Sequence, residues 1–307
     1  MKFLVKRKLH IVVGLSVAAI LVAGIALSIS KKVYIASTQT QLPVSTSTDP
    51  FSSLTLEARA AYALDLSTDK VLYAKNADAV LPLASLTKLV SAYVAEKYLS
   101  PDTNIPILVG DDDGLDPGEV WNFKNLLNFT LVVSSNDGID AIASAAGALI
   151  STSTKNDSQQ AFVDEMNTDM KSLGLTDMHF FNPSGLDEST TVSGGYGSAR
   201  DIAALMAYIL KVNPIILSAT VNQKISVSSN LVRHIVENTD EAIPYIPSIV
   251  ASKTGYTDLA GGNLAVILDD GLMHPIALVV LGSSYDGRFT DMENLAATVI
   301  KAAGQNK

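Results

Sequence analysis

Apolar and polar positions divide the 307-residue chain into three regimes. Residues 11–29 form an apolar run broken only by Gly and Ser, with Lys6, Arg7 and Lys8 before it and Lys31 and Lys32 after it. A helix of that length crosses a hydrocarbon core of about 30 Å, and cleaved signal segments usually carry shorter runs of about 7–15 residues. The pattern predicts a membrane anchor, with a signal segment cleaved near Ser28 or Ser30 as the alternative. The basic excess on the N-terminal side places residues 1–10 in the cytoplasm and the rest outside the cell membrane. Residues 30–53, rich in Ser, Thr, Gln and Pro, offer too little apolar area to fold and are expected to form a flexible linker.

The third regime, residues 54–307, has the periodicities of a folded domain. Ala60 to Leu66 and Val71 to Ala74 alternate around the turn Ser67-Thr68-Asp69-Lys70, which predicts a β-hairpin. Leu86, Leu89, Val90, Tyr93 and Val94 recur at helical spacing and predict an amphipathic helix opened by Ser85 and ended by Ser100-Pro101. Trp121 to Val133 and Ile139 to Ile150 predict two more helices, separated by the polar break from Ser134 to Gly138. Phe162, Met166 and Met170 mark another, and Ser198 caps a fifth that runs to Lys211. Ile249 to Tyr256, Asn263 to Leu268 and Ile276 to Leu281 then predict strands, and Thr290 to Ala303 a closing helix. Strands at both ends with helices between them predict an α+β fold: one antiparallel sheet built from both chain ends, with an inserted helical lobe.

Composition narrows the chemistry. A net charge of −9 argues against nucleic-acid binding. The absence of cysteine removes thiol catalysis, disulfides and thiolate metal sites. His10, His179, His234 and His274 are scattered without ligand spacing, so no metal or other cofactor is expected. The acidic run Asp111-Asp112-Asp113, followed by Asp116 and Glu119, lacks the spacing of a calcium loop and is expected to be solvated.

Three short motifs remain: Ser85-Leu86-Thr87-Lys88, Ser134-Ser135-Asn136 and Lys253-Thr254-Gly255. Ser-x-x-Lys also occurs at Ser28/Lys31 and Ser67/Lys70, and Ser-x-Asn at Ser228/Asn230, so context has to choose. At the head of a helix, residues three apart share a face. A serine hydroxyl needs a base to become a nucleophile, and with no suitable histidine the base is Lys88 as a neutral amine. Lowering a lysine pKa from about 10.4 by about 3 units takes roughly 4 kcal/mol, available from burial and from repulsion by a second cation, Lys253. Ser134 can then relay a proton to the leaving amine, while Asn136 holds the substrate amide and Lys88. Gly255 lets a strand edge approach a ligand backbone, and the N–H groups of Ser85 and Tyr256 are placed to form an oxyanion hole.

These motifs occur together in penicillin-binding proteins and class A β-lactamases. With the flanking segments Pro82–Lys88, Leu115–Glu119, Asn136–Gly138, Asn182–Asp187, Ser198–Asp201 and Lys253–Thr257, the chain resembles the serine D-alanyl-D-alanine carboxypeptidases, the low-molecular-mass penicillin-binding proteins. The resemblance implies a β-lactamase/transpeptidase-like fold. It also implies Ser85 as acyl-ester nucleophile, Lys88 as proton acceptor, Ser134 as second active-site serine and Lys253, with Thr254, Gly255 and Tyr256, as the substrate-binding strand. The implied partners are a peptidoglycan stem peptide ending in D-Ala-D-Ala and β-lactams as covalent inhibitors. Removal of the terminal D-Ala is the expected reaction. The alternatives are endopeptidase action on cross-links and a penicillin-sensing module that acylates without turnover. Two departures stand out: Gly138 replaces a common alanine, and no arginine beyond Arg233 offers itself for the substrate carboxylate.

Overall fold

The computed structural model describes residues 49–110, 114–151, 158–271 and 273–305. Within it the chain ends build one sheet. Strands β1 (Ala60–Asp65) and β2 (Lys70–Lys75) form the N-terminal hairpin, seven short strands follow in the middle of the chain, and β10 (Ile249–Thr257), β11 (Gly261–Asp269) and β12 (Pro275–Ser283) return at the end. The order is β10-β11-β12-β1-β2, with every neighbouring pair antiparallel. The expected α+β architecture is therefore present.

The central strands are apolar on both faces because the sheet separates two cores. Ala265 and Ile267 of β11, Ala277, Val279 and Leu281 of β12, and Ala60 and Tyr62 of β1 face the larger core, which includes the helical lobe. Their alternating neighbours Leu264, Val266, Leu268, Ile276, Leu278, Val280, Ala61 and Ala63 face a smaller core closed by the last helix through Phe289, Met292, Leu295 and Val299. A strand buried on both sides reads as a continuous apolar run, as Ile276 to Leu281 does.

The lobe contains α1 (Thr87–Tyr98), α2 (Phe123–Val133), α3 (Asn136–Ile150), α4 (Ser158–Ser172) and α5 (Ala199–Val212), and the chain closes with α6 (Gly287–Gln305). Met166 and Met170 of α4 are fully buried in the larger core, and Ser198 caps α5 by accepting the Asp201 N–H at 3.1 Å. Short strands brace the lobe: β3 (Leu81–Pro82), β4 (Asn104–Pro106), β5 (Val120–Asn122), β6 (His179–Phe180), β7 (Gly195–Gly197) and the hairpin β8 (Lys224–Ser228) with β9 (Arg233–Glu237).

Three local expectations change. The first helix is not amphipathic: Thr87, Lys88, Leu89, Val90, Ser91, Ala92, Val94 and Ala95 are all buried, so the first two turns of α1 run through the core with Thr87, Lys88 and Ser91 inside. Trp121 lies in β5 rather than at a helix start, its indole N–H donating to Glu119 Oε2 at 2.9 Å. The helix begins at Phe123 because the Asn122 side chain accepts the Asn125 N–H and caps it. Finally, residues 50–53, expected in the linker, form a 3-10 turn, and Phe51 stacks on Tyr73 at 5.4 Å. Asp291 helps hold this N-terminal edge by accepting the N–H groups of Glu57 and Ala58.

Among the described residues no single helix is long and apolar enough to cross a membrane. The expected anchor at 11–29 and the acidic run 111–113 lie outside the described residues.

Candidate active site

Ser85 sits in a 3-10 turn, Ala84–Leu86, that leads directly into α1. Ala84 has φ of +49°, a conformation that costs a residue with a Cβ about 1–3 kcal/mol. The surroundings enforce this kink. Asn263 on β11 donates to the carbonyls of Pro82 and Leu83, each at 3.0 Å. Gly185, at φ +80°, presses so close that an added Cβ would strike the Ala84 carbonyl.

One turn later, Lys88 is fully buried. Its Nζ lies 2.8 Å from Ser85 Oγ, 2.8 Å from Asn136 Oδ1 and 3.0 Å from the Ser184 carbonyl. The Lys88 amine thus lies within hydrogen-bond distance of the Ser85 hydroxyl, the Asn136 amide oxygen and the Ser184 carbonyl at once. Ser184, within the segment Asn182–Asp187, thus belongs to the site through its backbone.

The second motif is a helix junction made of two consecutive caps. Ser134, at φ +63°, terminates α2 in the left-handed region, its N–H donating to the Thr130 carbonyl. Ser135 begins α3 by accepting the Gly138 N–H at 2.9 Å. This places Asn136 in the first turn of α3. It also accounts for glycine at 138, because a Cβ there would collide with the Thr130 hydroxyl.

Lys253 reaches this junction from β10. Its buried Nζ donates to Ser134 Oγ at 2.7 Å and to the Thr254 carbonyl at 3.0 Å. Burial above all, then the charges of Lys88 and Arg288, push its pKa well below the usual lysine value, while Asp240 opposes them. Thr254 is buried with its hydroxyl 2.6 Å from that of Thr239. Gly255 packs against the nucleophile turn: an added Cβ would lie 2.9 Å from the Leu83 carbonyl oxygen and 3.2 Å from the nitrogens of Ser85 and Leu86. Tyr256 is 44% exposed, its ring edge-on to Tyr285 at 4.9 Å.

The sequence reading missed one cation. Arg288 on α6 is 3% exposed, with Nε and Nη1 buried and without a hydrogen-bond partner. Its guanidinium lies 4.2 Å from the Tyr285 ring centroid and 5.9 Å from that of Tyr256, and its charge acts on Lys253. Its position as the sole arginine after residue 233 was the available signal. Arg233 is instead exposed on β9 and donates to Ser226 Oγ at 2.7 Å. His179 is exposed on β6, edge-on to Phe181.

Side-chain hydrogen bonds therefore join Ser85, Lys88 and Asn136 in one group and Ser134 and Lys253 in another, across three segments of the chain. The chain is also similar to known proteins. The chain is 30% identical over 244 residues to the D-alanyl-D-alanine carboxypeptidase DacF of Bacillus subtilis, covering 76% of this chain and 59% of that one. It is 29% identical over 260 residues to the carboxypeptidase DacA of Escherichia coli, covering 78% and 60%. The matched region thus spans about three fifths of the length of these relatives. Among solved structures, the ampicillin-bound penicillin-binding protein D2 of Listeria monocytogenes superimposes with a TM-score of 0.69 at 25% identity, covering 80% of this chain and 98% of that one. The profile of Peptidase_S11, D-alanyl-D-alanine carboxypeptidase, matches residues 44–284, and the chain belongs to that family.

Proposed function

We propose that the chain is a serine DD-peptidase that removes the terminal D-Ala from peptidoglycan stem peptides through an acyl-enzyme on Ser85. The carrying observation is the placement of Lys88 Nζ at 2.8 Å from Ser85 Oγ, with Lys253 and Ser134 forming the adjoining wall.

In acylation, neutral Lys88 takes the Ser85 proton as Oγ attacks the carbonyl carbon of the penultimate D-Ala. Negative charge develops on the carbonyl oxygen, which the N–H groups of Ser85 and Tyr256 receive. The C–N bond then breaks. Lys253-bound Ser134 passes a proton to the departing amine and is reprotonated from the lysines, so free D-Ala leaves and an ester remains. Water adds to the ester carbonyl, its proton moving to the same base, and Ser85 regains its hydrogen as the shortened peptide departs. Asn136 orients Lys88 and accepts or donates to the substrate amide.

The leaving residue carries a carboxylate, and Arg288 with Lys253 supplies positive charge on that wall. Two unpartnered guanidinium nitrogens, held buried against Tyr285, make Arg288 the anion-recognising group in this reading. We place the enzyme outside the cell, tethered by residues 11–29.

Incubation of the full chain with a stem pentapeptide ending in D-Ala-D-Ala tests the proposal. Free D-Ala accumulating over many turnovers supports it. One equivalent released without further turnover would favour a sensor, and cleavage confined to cross-linked dimers would favour an endopeptidase.

A further inference from the structure

Asp240 is a buried carboxylate that the reaction above does not use. It lies between β9 and β10 and is 2% exposed. Oδ1 accepts the Ala242 N–H at 2.9 Å, and Oδ2 accepts a short hydrogen bond from the Ser252 hydroxyl. The preceding residue, Thr239, shares a 2.6 Å hydrogen bond with the Thr254 hydroxyl. The pair Thr239-Asp240 is therefore stitched to β10 at residues 254 and 252, on either side of Lys253. A further bond, Ser252 N–H to Thr220 Oγ1 at 3.0 Å, fixes the same point of the strand from the segment Pro214–Val221.

The charges around this point come from three parts of the fold. Lys253 is faced by Lys88 from α1, by Arg288 from α6 and by Asp240. Burial pushes the Asp240 carboxyl above its ordinary pKa, while the Ser252 hydroxyl, the Ala242 N–H, Lys253 and Arg288 favour its charged form, and Glu293 of α6 acts close by. Asp240, Glu237, Glu241, Glu293 and Lys224 share the lining of a cavity of about 510 Å³, where Lys224 pairs with Glu237 at 3.2 Å. Lys253 thus meets the Arg288 guanidinium, which disfavours its ammonium whatever the state of Lys88, and the Asp240 carboxylate, which favours it. A buried ammonium beside another cation is driven towards losing its proton, and a nearby anion opposes that.

We propose that Asp240 is a positioning residue for Lys253: through Ser252 it fixes β10 at the cleft, and its charge holds Lys253 as the ammonium that meets Ser134. This rests on the reading of Ser85 and Lys253 as parts of a DD-peptidase site. It also gives the two lysines opposite protonation. Asp240 biases the proton of the crowded pair towards Lys253, which leaves Lys88 free to act as base.

The test is the pH profile of the second-order rate at which a fluorescent penicillin acylates the full chain. Asp240→Asn keeps the shape and loses the charge, so the alkaline limb is expected to move about one pH unit lower or more, because Lys253 surrenders its proton earlier. Asp240→Glu restores the limb towards the parent. Ser252→Ala, which unhooks the carboxylate without removing it, moves the limb in the same direction by less. A purely structural role would lower stability and leave the limb in place. A folded Asp240→Asn protein with the parental limb overturns the inference, and if that variant does not fold, an unmoved limb in Ser252→Ala does so. Failure of the parent protein to label at Ser85 would instead overturn the reading of the site itself.

Discussion

Lys253 Nζ lies 2.7 Å from the hydroxyl of Ser134, although 119 residues separate the two along the chain. The contact joins an edge strand of the sheet to the junction of two lobe helices, so the cleft exists only where the sheet and the lobe meet. Its chemistry depends on the packing of both.

Removing the amine of the first motif tests the base. Lys88→Met keeps the length and apolar stem of the side chain inside a fully buried helix, and loses the atom 2.8 Å from Ser85 Oγ. Acylation by penicillin is expected to slow by about 10²–10⁴-fold, the usual contribution of a positioned base. Stopped-flow labelling measures it, and a rate within threefold of the parent would assign the proton to another group.

Gly255 tests the close approach of β10. In Gly255→Ala the new methyl meets the Leu83 carbonyl at 2.9 Å and crowds the Ser85 and Leu86 nitrogens, all backbone atoms that cannot turn aside. Acylation should fall at least about tenfold because donors aimed at a developing oxyanion are displaced. An unchanged labelling rate in a folded variant would contradict this geometry.

The buried ammonium should cost stability. Lys253 binds its proton less tightly folded than unfolded, so the cost is present at neutral pH and shrinks as pH rises towards the ordinary lysine value near 10.4. Lys253→Met is therefore expected to melt at pH 7 no lower than the parent while acylating poorly. A fall of several degrees in Tm would show that the ammonium stabilises the fold.

Asp140, one turn beyond Asn136 on α3, behaves in the opposite sense for a carboxylate. Burial raises its pKa to about 6, the attraction of Lys88 only partly opposing. The folded state then holds this proton more tightly than the unfolded chain, whose aspartate titrates near 3.9. Stability from this residue declines as pH rises from about 4 to about 6. Asp140→Asn should raise the unfolding free energy at pH 7 by up to about 2 kcal/mol and make no difference below about pH 4. Denaturant melts across that range decide it, and equal stability at pH 7 would contradict the burial argument.

Much of this architecture was legible because it is periodic. The strand-turn-strand pattern around Ser67-Thr68-Asp69-Lys70 and the apolar run Ile276 to Leu281 mark the sheet strands from both chain ends. The three motifs were legible because the chemistry restricts residue type, and helix geometry explains why Ser85 and Lys88 meet. Trp121 was misplaced because an aromatic beside an apolar helix fits either period, and the decisive feature is the Asn122 cap. The burial of the first turns of α1 was hidden by their polar residues, since Lys88 and Ser91 satisfy their polar groups inside the core. The roles of Arg288 and Asp240 beside Lys253 were not legible for a different reason. Each acts on Lys253 from a remote segment, and no local spacing encodes that approach.

The central claim is that Ser85 forms the acyl bond, and peptide mapping of the penicillin-treated chain by mass spectrometry tests it most directly. The account predicts one adduct per molecule on the peptide carrying Ser85, and none in Ser85→Ala. An adduct on a different residue, or one that survives in Ser85→Ala, would contradict it.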